Sequence, residues 1–451
     1  MKIFRFLLVL PLLAAEVLAA DPAVSGLMLP EKALPQLDAI LQSAVQQSPI
    51  MLNRALDLEI AENNRIQARA GLLPSVGGYA NYIESRDTRA DLAGRLDVTK
   101  VAYNFSITQP LYHWGERRNS AKISEIQADI VKGQYKDGYR ALAQTLRNDY
   151  MRLIVQKLTV KRGAAYVEHT KNQLAKEEVR LAQKVISEFQ IFAVRLAAEQ
   201  AQLIYDRGQF DFEMAKVSFA RLSGRPVMSD DAIPDLIPAV GYEAGTFDRL
   251  LAGFLDQKEL PAIEAVTMRK QMQSAGLGLA NQKTRLRPKF NAVLGMSQDE
   301  QSYTINIAQK YRVNSIFAGF SANWTIFDGF AAQAAVRNDL ARLRQMQNDY
   351  KGLTERVAQQ AQTQVKLVNF AARNMAITDR ALGASEGSLK TKQEDFRRGI
   401  SSEDDISAAR ITVYDAQINA CNGRSEFLYR TGDFLGTIVE DPVLANVTDK
   451  K

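Results

Sequence analysis

Three acids in a row, Glu403, Asp404 and Asp405, follow Gly399-Ile400-Ser401-Ser402, and Arg397-Arg398 precede that stretch. Carboxylates in this position can attract a cation, or they can settle against the free amides and positive dipole of a helix start. Arginines beside a glycine suit a helix stop, so stop and start are adjacent and residues 399–401 read as a tip between two helices. Half a chain earlier, Lys184-Val185-Ile186-Ser187-Glu188-Phe189-Gln190 repeats the arrangement more weakly. Ser187 and Gln190 fit a capping box, the glycine is missing, and a turn is expected at 185–187. Catalysis finds no support: His113 and His169 are far apart, and no metal-ligand spacing, nucleophile elbow or phosphate loop occurs. The expectation is therefore a non-enzyme with no cofactor and no metal. Cys421 is the only cysteine and reads as a small packed residue.

Such tips need long helices to carry them. No proline lies between Pro110 and Pro226 or between Pro288 and Pro442. Apolar residues recur three and four apart through Leu340, Leu343, Tyr350, Leu353, Val357, Ala361, Val365, Val368, Ala372 and Met375, close to the coiled-coil period. A helix of that length must pack along its whole side against others. Gly115 to Lys184 is 70 residues, about 105 Å of helix. Gln36–Leu73 and Ser187–Leu222 are each about half of that, so two short helices stacked end to end match one long one. His169 falls in mid-helix and is expected at the surface.

Before each helical stretch the period changes to two, which marks strands. Pro288 to Gly329 is a second copy of Pro74 to Gly115 at an offset of 214. Val101, Tyr103, Phe105 and Ile107 share one face in the first copy; Ile316, Phe320 and Trp324 share one in the second, with Phe290, Ala292, Leu294 and Met296 before them. Each copy reads as a β-hairpin, 74–110 and 288–324, with polar loops at Glu84–Asp97 and Gln298–Arg312. A soluble sandwich has the same alternation, but the long flanking helices favour a lipid-facing role for Val101, Tyr103, Phe105, Ile107, Ile316, Phe320 and Trp324. Two hairpins supply four strands, and single-chain membrane barrels begin at about eight, so several chains must share one barrel. Tyr112, His113 and Trp114 sit where aromatic residues mark a membrane–water boundary.

The organisation expected is a secretory signal peptide at 1–20, with Lys2 and Arg5 before an apolar core, a first repeat at 21–225, a proline-rich linker at 226–249, a second repeat at 250–438 and a polar tail at 439–451 with no assigned role. Charged residues are 24% and hydrophobic residues 46%, which excludes both disorder and a bundle of membrane helices. The net charge of +6 is scattered along the chain and argues against a nucleic-acid partner.

The internal duplication, Leu73-Pro74 and Arg287-Pro288 at the strand starts, Phe327-Asp328-Gly329 and His113-Trp114-Gly115 at the strand exits, and Arg398-Gly399-Ile400-Ser401 at the second tip together resemble the TolC-type outer membrane efflux protein family. That resemblance implies a mainly α chain with a small β part. In the implied homotrimer, a transmembrane β-barrel with four strands per chain sits in outer membrane lipid and continues as a periplasmic α-helical barrel. It also implies a passive export duct of a tripartite efflux or type I secretion system, served by a periplasmic adaptor protein and an inner-membrane pump. The tips, Val185-Ile186-Ser187 and Gly399-Ile400-Ser401, would be the closed end, with Asp405 in the periplasmic gate and Asp404 and Glu403 as further acids. Ala408 stands where a second acid is familiar, and Val185 where the first tip has glycine. Arg397 and Arg398 are the expected cations holding the acids. The competing reading is a structural or adhesive trimeric coiled-coil surface protein.

Overall fold

The computed structural model describes residues 27–88, 95–304 and 308–448; the signal peptide expected at 1–20 lies outside them. The described residues are mainly helical and hold one four-stranded sheet. In order come α1 (Pro30–Ala33), α2 (Pro35–Gln47), α3 (Pro49–Ala70), β1 (Ser75–Thr88), β2 (Arg95–Tyr112), α4 (Glu116–Ala182) and α5 (Glu188–Ser223). The second half has α6 (Thr246–Leu255), α7 (Ile263–Lys283), β3 (Lys289–Thr304), β4 (Ala308–Asn323), α8 (Ala331–Arg397), α9 (Glu403–Thr437) and α10 (Ala445–Thr448).

Helices α4 and α8 are 67 residues each, about 100 Å long. Alongside α4, the 22-residue α3 and the 36-residue α5 abut nearly end to end. At their joint the Ser48 hydroxyl donates to the Leu222 carbonyl at 2.8 Å. Gly224 caps α5 in a left-handed conformation, φ +75°, and a Cβ built there would lie 2.1 Å from the Gln47 carbonyl oxygen. Only glycine satisfies both demands. The matching cap of α9 falls on Val439, φ +64°, an unfavourable conformation for a β-branched residue.

The strands form one antiparallel sheet in the order β1-β2-β3-β4, so the two repeats join along β2 and β3 while β1 and β4 are open edges. The register lines up Gly78, Phe105, Met296 and Ile316 in one row across the sheet, and Val76, Ile107, Leu294 and Ala318 in the next. The opposite face carries Tyr79, Asn104, Ser297 and Ser315 in one row and Asn81, Ala102, Asp299 and Val313 in another. One face is thus apolar and the other mostly small or polar. The strands run further than the sequence suggested. Glu84–Thr88, Arg95–Asp97, Gln298–Thr304 and Ala308–Arg312, expected in loops, are paired strand residues. Ladder bonds belong to the backbone, so polar side chains do not stop a strand where it leaves an apolar layer.

The core sits at mid-rod, where the helices are overlaid by the linker and the tail. Arg147 of α4 is buried, with its guanidinium between Asp441 at 2.6 Å and Glu31 at 2.5 Å. The tail, to which the sequence assigned no role, supplies Asp441 and the buried Val443. The linker is pinned as well: Lys157 donates to the Asp230 and Ile233 carbonyls and pairs with Asp235, while Arg424 donates to the Ile237 carbonyl.

Candidate functional site

The two tips are built alike but are offset by one residue from the sequence alignment. Lys184 takes the left-handed conformation at the first tip, φ +60°, and Gly399 takes it at the second, φ +74°. Val185, aligned with that glycine at an offset of 214, is therefore one place too far. The shift arises at the strand-to-helix junctions. Each has two consecutive left-handed residues, Trp114-Gly115 in the first copy and Gly329-Phe330 in the second. The glycine fills the second of these places in one junction and the first in the other, so aligning glycine on glycine slips the register by one.

Beyond each left-handed residue, Val185 and Ile400 are exposed at the extremity, with Ile186 and Ser401 beside them. Ser187 and Gln190 close a capping box on α5, and Ser402 and Asp405 close the corresponding box on α9. The Ser402 backbone amide, the Ser402 hydroxyl and the Ser401 hydroxyl all donate to Asp405 Oδ2, at 2.9, 2.7 and 3.2 Å. These bonds, led by the Ser402 hydroxyl, hold the carboxyl of Asp405 below the ordinary aspartate range. Oδ1 receives no protein donor among the described residues.

The other two acids part ways. Asp404 accepts from Lys176 Nζ of α4 at 2.6 Å, and Arg162 of α4 meets Asp415 of α9 at 3.0 Å, so two ion pairs tie the same helices together. Glu403 is exposed and makes no ion pair among the described residues. The cation that meets the acids is Lys176, not Arg397 or Arg398 as the sequence suggested, because the opposite helix presents its side chain across the groove. His169 is also corrected: it is half-buried, and its Nδ1 is enclosed with no hydrogen-bond partner among the described residues.

At the sheet, Val101, Tyr103, Phe105, Ile107, Ile316 and Phe320 all fall on the apolar face by register. Ile316 and Phe320 are 86% and 84% exposed, whereas Val101 and Tyr103 are half-buried. Phe105 lies across Gly78, and Phe317 on the other face lies across Gly295. Trp324 stands just past β4 and donates its indole N–H to the Leu286 carbonyl at 2.9 Å. Trp114 donates to the neighbouring Pro288 carbonyl at 2.8 Å while the Arg287 guanidinium stacks over its ring at 4.6 Å. The two indoles thus fasten the strand exits to one short segment. His113 Nε2 lies 2.9 Å from Asn291 Oδ1, a structural contact between the exit of β2 and the start of β3 in the other repeat.

No helix among the described residues is long and apolar enough to cross a membrane. Among those residues there is also no cluster of His, Cys, Asp and Glu suited to a metal.

A family model described as outer membrane efflux protein matches residues 40–184 and 261–428. Among curated proteins no sequence match is found. Solved structures do match in fold. The outer membrane protein VceC of Vibrio cholerae is 15% identical, with TM-score 0.62 over 90% of this chain and 96% of that one. The CmeC outer membrane channel of Campylobacter jejuni is 12% identical, with TM-score 0.66 over 90% and 86%. The open state of the MtrE outer membrane channel of Neisseria gonorrhoeae is 14% identical, with TM-score 0.60 over 90% and 89%. At these identities the structural likeness carries the fold alone.

Proposed function

The chain belongs to the outer membrane efflux protein family, and from that premise we propose that three copies close into one export duct gated at its periplasmic tips. It is an efflux protein of the outer membrane, and with the sheet in that membrane its helices would stand in the periplasm. The observation that carries the proposal is the sheet's two open edges, β1 and β4. In lipid an unpaired edge leaves backbone groups without partners, so four strands are stable only when neighbouring copies complete the ring. Twelve strands would then turn the row of Ile316 and Phe105 toward lipid and the row of Tyr79 and Ser315 toward the bore.

The gate would be formed by the carboxylates at the start of α9. Three copies of Glu403 and of Asp405 Oδ1 around one axis repel one another and attract cations. Lys176–Asp404 and Arg162–Asp415 would hold α9 against α4 and keep the tip shut. A periplasmic adaptor would engage the tips, and an inner-membrane pump would supply the energy that the duct lacks. The face turned to the bore is mixed, with Asn104, Ser297 and Ser315 beside Tyr79 and Asp299, and small-molecule efflux is the cargo reading preferred over type I secretion.

Single-channel conductance of the purified protein in a planar bilayer tests this. Discrete cation-preferring openings are expected, with altered conductance in Asp405→Ala. Verified trimers that stay silent, even with Glu403 and Asp404 also neutralised, would overturn it.

A further inference from the structure

The junction between sheet and helices is strongly basic. Lys289 is neutralised by Glu116 at 2.5 Å, and Arg285 lies 3.7 Å from Asp328. Arg69, Arg117, Arg118 and Arg287 have no carboxylate within ion-pair distance among the described residues, Arg287 resting instead on Trp114. Arg117 and Arg118 line a cavity of about 140 Å³ whose other walls include Leu72, Leu111, Tyr112 and His113. Tyr112 pairs with Phe290 after a bulge at Pro110, which keeps it in register with the apolar face of the sheet. Leu111 and Tyr112 are each 53% exposed. The cavity therefore has an apolar rim continuous with the sheet's apolar face and two unneutralised guanidinium groups on the helix side.

We propose that this cavity holds the headgroup phosphate of an anionic phospholipid from the periplasmic leaflet, with the acyl chains running up past Leu111 and Tyr112. The geometry matches an amphiphile. Guanidinium groups bind phosphate oxygens bidentately, the cavity has room for a phosphodiester but not for a whole lipid, and basic pockets at a membrane boundary attract anionic headgroups. A free phosphate would use the arginines but leave the exposed Leu111 and Tyr112 in water. The assignment depends on the sheet lying in the membrane, not on the gate. Conductance is accordingly expected to be unchanged in R117Q/R118Q.

The test is lipid retention by the detergent-solubilised full chain, read by native mass spectrometry after titration with phosphatidylglycerol or phosphatidylcholine. Wild type is expected to retain phosphatidylglycerol about thirtyfold better, as two surface cations would give. Arg117→Gln with Arg118→Gln should bring it down to the phosphatidylcholine level, while Arg397→Gln with Arg398→Gln at the tip should not. The charge-conserving pair R117K/R118K should keep a preference intermediate between wild type and R117Q/R118Q, because lysine retains the charge but not the bidentate fork. Equal retention of both lipids by wild type, a preference that persists in folded R117Q/R118Q, or displacement of the lipid by inorganic phosphate would each overturn the proposal. If the double variant does not fold, the single variants R117Q and R118Q decide it by the same readout.

Discussion

Lys184 and Gly399 occupy the same left-handed backbone position at the two helical tips, 215 residues apart, and only one of them is a glycine. A residue with a Cβ is held there at a cost of about 1–2 kcal/mol, so the first tip stores strain that the second does not. The strain is sustained by the capping box that follows, in which Ser187 and Gln190 exchange hydrogen bonds.

Relieving that strain should be measurable. Lys184→Gly is expected to stabilise the first tip by about 0.5–1 kcal/mol, the loss of strain being partly offset by the freer unfolded chain. Gly399→Ala should destabilise the second tip by about 1 kcal/mol. Amide hydrogen exchange over 183–191 and 398–406 would report both, and faster exchange in Lys184→Gly would contradict the account.

The Asp405 cap makes the second tip acid-sensitive. Its carboxyl lies below the ordinary value because Ser402 and Ser401 donate to it. A lowered folded-state value means that the stabilisation is fully present above about pH 4 and disappears as the pH falls through the folded value. Exchange at the start of α9 should accelerate below about pH 4, and Asp405→Asn, already lacking the anionic acceptor, should be flatter over that range. An identical pH profile in the two proteins would remove the cap from the explanation.

Gly224 has no room for a side chain. Gly224→Ala combines a left-handed Cβ with a collision at the Gln47 carbonyl and is expected to cost about 3 kcal/mol or more. Thermal unfolding followed by circular dichroism would show the drop; an unchanged midpoint would mean that α3 and α5 separate freely at their joint.

At mid-rod, Arg147→Ala leaves Asp441 and Glu31 facing each other without their cation. Loss of one partner from a buried charge cluster costs about 3–5 kcal/mol. Arg147→Met combined with Glu31→Gln and Asp441→Asn should recover much of that stability. Denaturation midpoints of the two variants compare them, and equal losses would argue against an electrostatic origin.

Lys176→Gln should loosen the tip by breaking the link from α4 to α9. The half-exposed Lys176–Asp404 pair contributes at most about 1 kcal/mol per chain, so more frequent channel openings are expected rather than a permanently open channel. Opening statistics indistinguishable from wild type would place the closing contacts elsewhere.

Periodicity in the sequence determined the long helices, the two hairpins and, within each copy, the face that Phe105 shares with Ile107 and Ile316 with Phe320, because helical and strand burial impose local repeats of 3.6 and 2 residues. Capping chemistry placed the tips for the same reason: Ser402 and Asp405 are three residues apart and need no other part of the chain. Tertiary structure alone decided the one-residue slip that makes Lys184 the partner of Gly399, since it depends on which residue of each junction turns left-handed. It alone joined β2 to β3, brought Lys176 to Asp404 and set Arg147 against Asp441. Those pairs are hundreds of residues apart in sequence or lie on different helices. Nothing local selects one distant charge over another until packing has brought them within reach.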